Sequence, residues 1–260
     1  MRLVCLSALL ALSLLFPSVQ AAQEVRVGAY HFPPYVMRPE QADAEGLLVE
    51  LLRALNQAQT QYRFVIAPTS TKRRYRDLQD GRYDLIVFES PEWGWQDTPH
   101  VALNLHLEDA EVYVALNAPG RGQDYFDSLQ GKRMALYNGY HYGFADFNAD
   151  QQFLAREFDA LLTYSHDSNL NMILRQRAEI AVITRSYLNM YLQRHPAQAE
   201  AFLVSERVDQ VYRHQALFGL QAAISPAVFA GLLAQVKAQG GLDRLFARYY
   251  LTESSSAASE

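Results

Sequence analysis

Hydrophobic residues follow two different spacings between residues 25 and 88 of the chain. From Gly46 to Gln57 they recur every three or four positions, which predicts one buried face of a helix. Elsewhere, short apolar runs end at glycine, proline or polar residues, which predicts buried strands. This pattern predicts strands over residues 25–29, 62–67 and 83–88, and helices over residues 46–57 and 71–79. Together they form a β-α-β-α-β unit, whose crossovers we expect to be right-handed.

The same alternation continues through the rest of the chain. Strands are predicted over residues 110–116, 133–137, 161–164, 180–183 and 215–220. Helices are predicted over residues 144–155, 168–177 and 186–194, from Ser225 and Pro226 to the glycines at 240–241, and over residues 241–250. Ser168 is the predicted N-cap of its helix, because its hydroxyl can accept from first-turn amides. Alternating elements of this kind predict an α/β fold with a largely parallel sheet.

The first residues have the pattern of a secretory signal peptide. Arg2 is followed by an apolar core over residues 8–16 and by small residues, which predicts a signal peptide over residues 1–21. The only cysteine, Cys5, falls inside that segment. We therefore expect an exported protein without disulfides, thiol catalysis or cysteine-bound metal. At the other end, residues 253–260 are small and polar and are predicted to be disordered.

The charge balance argues against nucleic acid as a partner. The net charge is −5, whereas attraction to phosphates needs a basic face. The one basic run, at residues 72–76, is short and fits a solvated helix face equally well. After the leader, no segment approaches the roughly 18 apolar residues of a spanning helix, so we expect a soluble protein.

Four short segments carry a resemblance to a known family. They are PPYV with GLLVELLRAL, then LQDGRYDLIVF, LQGKRMALYNG and GGLDRLFARYY, in that order. In these segments and in its order of elements, the chain resembles the family 3 extracellular solute-binding proteins, which are type II periplasmic binding proteins. The resemblance implies a two-lobed α/β fold whose lobes are joined by two hinge strands. It implies a first lobe of residues 24–109 plus 217–252 and a second lobe of residues 110–216.

The resemblance also implies a role. A protein of this family binds a small-molecule ligand in the periplasm and presents it to an ABC permease or to a membrane sensor protein. Here we expect a small polar or aromatic-containing ligand, captured between the two lobes. We expect a monomer that uses neither a cofactor nor a metal, since the histidines lack metal-ligand spacing.

On this mapping the ligand lies between the lobes, at the carboxyl ends of the strands. The ring-bearing candidates at those positions are Tyr30, Phe32, Trp93, Tyr140 and His141. Such rings favour stacking on a planar ligand or caging a cation, although each could instead pack between the lobes. In the family, the turn here formed by residues 139–143 donates backbone N–H groups to the ligand.

Two positions depart from the pattern of amino-acid binders. Gln96 stands where those proteins have an arginine that holds the α-carboxylate of the ligand. Thr184 and Arg185 stand where the family commonly has an acid for the ammonium group. We therefore expect standard L-amino acids to bind weakly or not at all. Two replacements remain open: Glu89 with Arg185 in reversed polarity, or Arg73 reaching the cleft from the first lobe.

An enzymatic alternative rests on the same fold. The chain has no G-x-S-x-G elbow, H-E-x-x-H motif or P-loop, so we expect a binding protein rather than an enzyme. Some relatives of this fold are periplasmic cyclohexadienyl dehydratases, which need a general acid in the cleft. Glu89 or His141 would be the candidates for that acid.

Overall fold

A computed structural model describes residues 21–253 of the chain. Its strands are β1 (Gln23–Ala29), β2 (Tyr62–Pro68), β3 (Leu85–Glu89), β4 (Val101–Leu116), β5 (Met134–Tyr137), β6 (Ala160–Thr163), β7 (Ile180–Thr184), β8 (Phe202–Phe218) and β9 (Thr252–Glu253). Its α-helices are α1 (Leu47–Ala58), α2 (Arg74–Gln79), α3 (Gln151–Phe158), α4 (His166–Leu174), α5 (Arg185–Arg194), α6 (Pro226–Ala238) and α7 (Gly241–Arg248). The predicted signal peptide and the predicted disordered tail each have only one residue, Ala21 and Glu253, within this range. Within residues 21–253, no helix is long and apolar enough to cross a bilayer.

The strands form one continuous sheet in the order β2-β1-β3-β8-β4-β7-β5-β6, with β9 beside β4. Parallel pairs occur at both ends, among β2, β1 and β3 and among β7, β5 and β6. Between them, β4 and β8 form a long antiparallel pair. We call the half with β1–β3, α1, α2, α6 and α7 the first lobe, the half with β5–β7 and α3–α5 the second lobe, and β4 and β8 the crossing strands. The predicted two-lobed α/β fold is confirmed.

The crossing strands are longer than predicted. They cover 16 and 17 residues, whereas the apolar runs predicted only residues 110–116 and 215–220. The first part of β4 is exposed or half-buried, so it lacks an apolar run. Register shifts between Asn104 and Leu107 further obscure its periodicity. One end of β8 pairs with β3, and one end of β4 pairs with β7, so the pair physically joins the two lobes.

The predicted helix over residues 144–155 is divided in two. A 3-10 helix covers Gly143–Ala145, and α3 begins only at Gln151. Asp146 and Phe147 interrupt the helix because they adopt left-handed conformations, with φ of 50° and 59°. Asp150 then caps α3 by accepting from the Phe153 amide at 2.8 Å.

The start of α4 also differs from the prediction. Its N-cap is Ser165, whose hydroxyl accepts from the backbone amide of Ser168 at 3.3 Å. The predicted cap, Ser168, therefore supplies the amide of this bond. The helix starts earlier than expected, which brings His166 into its first turn.

The hydrophobic core is continuous with the region between the lobes. In the first lobe, Val27, Leu51 and Phe64 belong to one buried cluster that extends to Phe32 and Tyr140. A separate cluster packs β7 against α4 and α5, with Leu170, Ile173, Ile183 and Leu188 among its members. The rings between the lobes are thus an extension of the larger core.

Candidate ligand-binding cleft

The two lobes meet at a small cavity. Its lining residues are Tyr30, Phe32, Arg74, Trp93, Gly139, Tyr140, His141 and Tyr212. The first four belong to the first lobe, the next three to the second lobe, and the last to β8. The space open to the centre of a water-sized sphere is about 10 Å³, which is room for about one water molecule. The cleft is therefore closed and filled by its own side chains.

Phe32 is at the centre of the rings that fill the cleft. The turn after β1 holds it through two backbone hydrogen bonds of 2.9 Å with Val36. Its ring stacks on Tyr35 at a centroid distance of 4.6 Å. It meets the rings of Trp93 and Tyr140 edge-on, at 5.5 and 5.4 Å. Because Tyr140 belongs to the second lobe, these aromatic contacts stabilise the closed arrangement.

Arg74 supplies the positive charge of the cavity wall, and its side chain is almost fully buried. Its Nη1 lies 3.6 Å from Oε2 of Glu89. Its Nη2 donates to the Tyr75 hydroxyl at 2.8 Å and to the Trp93 carbonyl at 3.1 Å. The guanidinium carbon also lies 4.8 Å from the ring centre of Tyr30, within range of a cation–π interaction.

Glu89 is the internal counter-ion of Arg74. Burial raises the pKa of Glu89, although Arg74 and the Trp95 indole N–H, which donates at 2.8 Å, both lower it. Burial by itself lowers the pKa of Arg74, but Glu89, Tyr30 and Tyr75 together raise it more, so the net shift is upward. One atom of each partner, Arg74 Nε and Glu89 Oε1, has no hydrogen-bond partner. The pair therefore neutralises itself and leaves no net charge on this wall.

Gln210 on β8 connects the two walls. Its Oε1 accepts from the Trp93 indole N–H at 3.1 Å, and its Nε2 donates to Glu111 at 2.8 Å and to the carbonyl oxygen of His141. His141 Nε2 also lies 3.3 Å from the Tyr75 hydroxyl of the first lobe. Burial, followed by Arg74, lowers the pKa of His141 to about 4, so this imidazole is neutral at neutral pH.

The backbone N–H groups of the turn at residues 139–143 do not all face the cleft. Gly143, the last residue of the turn, and Phe144, which follows it, donate their backbone N–H groups to the Asp209 carboxylate, at 2.7 and 2.9 Å. Asp209 also accepts from the Tyr113 hydroxyl at 2.6 Å. Burial, followed by Asp209, raises the pKa of neighbouring Glu111 well above its ordinary value. The Asp209 carboxylate thus accepts hydrogen bonds from backbone amides at the end of the turn that the family resemblance assigned to the ligand.

The structure brings together most, but not all, of the residues proposed from the sequence. Those that line the cavity are Tyr30, Phe32, Trp93, Tyr140 and His141. Glu89 lies behind the wall, fully buried against Arg74. Arg73 and Arg185 are exposed and outside the lining. Gln96 is also exposed and donates to the Pro91 carbonyl at 3.0 Å.

The arginine in the cleft is thus Arg74 rather than Arg73. Arg73 occupies the N-cap position of α2 and points to solvent, whereas Arg74 begins the helix on its buried side. Arg73 and Arg74 are adjacent in the sequence, and only the rotational position of each on this short helix decides which one is buried. Tyr212 and Gln210 were also missed. In this part of β8 the buried positions are Gln210, Tyr212 and His214, while Val211 and Arg213 are exposed, so the sequence shows no apolar alternation that predicts which side is buried. Within residues 21–253, no group of three or more His, Cys, Asp or Glu residues could hold a metal ion.

Of the comparisons with known proteins, the one with solved structures bears on the fold. No family model matches the chain, and no curated protein matches it. Among solved structures, it is similar to a substrate-binding protein of an ABC uptake transporter from Streptococcus pneumoniae with bound histidine. The TM-score is 0.66 at 16% identity, over 87% of this chain and 92% of that one.

Two further solved structures are similar over most of their length. One is a histidine kinase sensor domain with similarity to periplasmic binding proteins, with a TM-score of 0.61 at 19% identity, over 88% of this chain and 96% of that one. The other is an ancestral amino-acid-binding protein described as a precursor of cyclohexadienyl dehydratase. Its TM-score is 0.59 at 15% identity, over 87% of this chain and 94% of that one. The chain therefore has the two-lobed fold of the type II periplasmic binding proteins.

Proposed function

We propose that this chain is a periplasmic solute-binding protein that captures a small, ring-containing molecule between its two lobes. The ligand would be delivered to an ABC permease or presented to a membrane sensor. The observation that carries the proposal is the cavity whose walls come from both lobes and are dominated by aromatic rings. A ligand that contacts both walls stabilises the closed state, which is how a hinged protein reports occupancy.

Capture requires the cleft to open. The closed cavity has room for about one water molecule, so a ligand must displace rings that now contact each other. Phe32 is the ring to be displaced, since it contacts both Trp93 and Tyr140. The ligand then replaces these ring–ring contacts with its own, which favours a flat, apolar-faced molecule.

Several contacts argue against a standard amino acid as the ligand. Gln96 is exposed, and Arg185 lies outside the cavity. Thr184 is buried beside His166 instead of offering an acid, with 3.3 Å between Oγ1 and Nε2. The one arginine in the lining, Arg74, is already paired with Glu89. A zwitterion would therefore enter without a dedicated partner for either charged end.

The test is ligand retention. The purified protein is incubated with a small-molecule cell extract, separated by gel filtration and denatured, and the released compounds are identified by mass spectrometry. We expect retention of one ring-containing compound at close to one equivalent. Phe32→Leu, which keeps apolar bulk but removes the ring, should weaken retention about fivefold. Tyr164→Ala serves as the control, because Tyr164 is 71% exposed outside the cavity. Failure to retain any compound would contradict the proposal.

A second candidate function is that of a dehydratase-like enzyme. The observation that favours it is the environment of Glu111. Glu111 is fully buried, its Oε1 has no hydrogen-bond partner, and its raised pKa favours the protonated form of a general acid. His141 is less suitable, because its pKa of about 4 leaves it unprotonated at neutral pH. The same retention experiment distinguishes the two candidates. An enzyme would convert its substrate, so mass spectrometry would detect the dehydrated product instead of the unchanged compound.

A further inference from the structure

Four buried polar atoms of the second lobe have no hydrogen-bond partner. They are Tyr137 Oη, Tyr140 Oη, His166 Nδ1 and Asn169 Nδ2. Each of the four side chains is more than nine-tenths buried. The rings lie close together, with centroid distances of 4.4 Å from Tyr137 to Tyr140, 5.0 Å from Tyr137 to His166 and 5.6 Å from Tyr140 to His166.

The fold explains why these side chains are neighbours. Tyr137 ends β5 and Tyr140 follows in the next turn, while His166 and Asn169 lie one turn apart on the same face of α4. The threonines that end β6 and β7 hold the α4 residues in place. Thr163 donates to Asn169 Oδ1 at 2.6 Å, and Thr184 Oγ1 lies 3.3 Å from His166 Nε2. Each α4 side chain thus has one polar atom bonded and the other free.

A cluster of this kind is unfavourable for the protein alone. Buried polar atoms nearly always find a partner, because leaving them unpaired forfeits their hydration. Four in one place, at the carboxyl edge of a parallel sheet, therefore indicate that a partner is supplied from outside. Tyr140 also lines the cavity between the lobes, so the cluster borders the proposed ligand site.

The chemistry of the free atoms restricts the partner. They belong to two phenols, an amide and an imidazole, all of which can be uncharged. Burial and then His31 lower the pKa of His166 to about 3, so its ring is neutral at neutral pH. On the opposite wall, Arg74 is paired with Glu89. A charged group would lose its hydration here without meeting an opposite charge in exchange.

We propose that Tyr137, Tyr140, His166 and Asn169 form the second-lobe half of the binding site, and that the ligand is an uncharged ring compound with both hydrogen-bond donors and acceptors. The inference rests on the proposed solute-binding function and narrows its ligand class. The ring stacks among the cleft aromatics, and its donors and acceptors satisfy the four free atoms. Heterocyclic amides have this combination of a flat face and a neutral polar edge.

The first test uses three probes that share a pyridine ring and differ in charge: nicotinamide, nicotinate and 3-picolylamine. At millimolar concentration, we expect nicotinamide to raise the melting temperature of the protein and the two charged analogues to leave it unchanged. No shift with nicotinamide, or a larger shift with either charged probe, would overturn the inference.

The second test compares two hydroxyls of the same lobe. Tyr137→Phe removes a free hydroxyl, so the melting temperature of the ligand-free protein should stay the same or rise, while nicotinamide affinity falls about tenfold. Tyr142→Phe is the matched control, because the Tyr142 hydroxyl accepts from the Tyr137 amide at 2.7 Å. It should lower the melting temperature and leave the affinity of the folded protein unchanged. A loss of stability in Tyr137→Phe equal to that in Tyr142→Phe would show a structural role and refute the proposal.

Retention from the cell extract distinguishes the two levels of inference. Retention of an uncharged ring compound supports both. Retention of a zwitterion, carboxylate or amine leaves the solute-binding function standing and overturns the ligand class. If nothing is retained, the solute-binding function itself fails.

Discussion

Arg74 and Glu89 show how one residue pair defines the character of the cleft. Both side chains are almost completely buried, and their charged atoms lie 3.6 Å apart. A buried pair contributes little net stability when complete, because desolvation offsets the Coulomb attraction. Breaking it is costly, since the remaining charge stays buried without a partner. The complete pair therefore makes this wall of the cleft neutral. Loss of either member would strongly destabilise the folded protein.

We predict that Glu89→Gln lowers the free energy of unfolding by about 3–5 kcal/mol, because it strands the Arg74 charge in the interior. Urea unfolding at pH 7 measures this change. The control is Asp159→Asn, which breaks an exposed pair with Arg133 at 2.9 Å and should cost no more than about 1 kcal/mol. The double variant Arg74→Met with Glu89→Gln should recover most of the loss. A cost below about 1 kcal/mol for Glu89→Gln alone would mean that Glu89 is protonated in the native state.

At the scale of single residues, the sequence predicts only some of the side chains that form the cleft. The rings after β1 and β3 were predictable because they follow apolar strands at the carboxyl edge. The choice between Arg73 and Arg74 was not, since α2 has only six residues and too few apolar positions to define its buried face. The four free polar atoms around His166 were also hidden, because they come from two separate segments, residues 137–140 and 166–169, that only the tertiary fold brings together.

At the scale of elements, the turn after β5 sets how closely the lobes approach. A Cβ atom at Gly139 would lie 2.8 Å from Oγ1 and 3.2 Å from Cβ of Thr71, which belongs to the first lobe. The absence of a side chain at Gly139 thus permits the closed contact. Gly139 also has a φ of +86°, which a side chain disfavours. Two effects, backbone strain and a clash between the lobes, are therefore combined at one position.

Gly131 separates these two effects. It has a φ of +72°, and a Cβ there would meet nothing within 4 Å. We predict that Gly139→Ala and Gly131→Ala each lose about 1 kcal/mol or more of stability from the strained backbone. Only Gly139→Ala should hold the lobes apart, seen as a larger radius of gyration in small-angle X-ray scattering. Equal radii for the two variants would show that Thr71 yields and that this turn does not control closure.

At the scale of the whole molecule, a buried polar network ties the lobes together beside the hinge. The Asp109 carboxylate on β4 accepts from the Tyr35 hydroxyl at 2.7 Å and from the Ser186 hydroxyl at 2.6 Å. His214 Nε2 on β8 lies 2.7 Å from the same Tyr35 hydroxyl. Tyr35 comes from the first lobe and Ser186 from α5 of the second, so Asp109 on β4 is bonded to both lobes, and His214 on β8 joins the network through Tyr35.

The elements of the two lobes were more predictable from the sequence than the crossing strands that join them. Apolar periodicity defined the strands and helices of both lobes, because their buried faces are broad and regular. The crossing strands were underestimated, since residues such as Arg213 and Asp109 interrupt any apolar run. These residues are held in a strand by hydrogen bonds to the opposite crossing strand, and the local sequence does not indicate that pairing. Hinges are built from such segments, so the part most relevant to motion is the part that the sequence describes least well.

The network and the cleft together predict how stability depends on pH. Burial lowers the pKa of His166 and of His214 to about 3, whereas an unfolded histidine titrates near 6.5. Between these values the unfolded chain binds protons that the folded chain does not. Stability from the neutral rings is therefore fully present above about pH 6.5 and is lost as the pH falls, by up to about 1.4 kcal/mol per pH unit for each histidine.

Buried carboxyls oppose this trend, so a single histidine has to be isolated. Burial raises the pKa values of Glu89, Asp109 and Glu111; their contribution is present at low pH and is lost as the pH rises through those values. His214→Gln removes one histidine and leaves the carboxyls in place. We predict that its stability deficit against the wild type, from urea unfolding at pH 7.5, 6 and 5, shrinks as the pH falls. The reason is that only the wild type gains a proton at position 214 on unfolding. A deficit that stays constant from pH 7.5 to 5 would mean that His214 titrates normally in the folded protein, and that the hinge network is open to solvent.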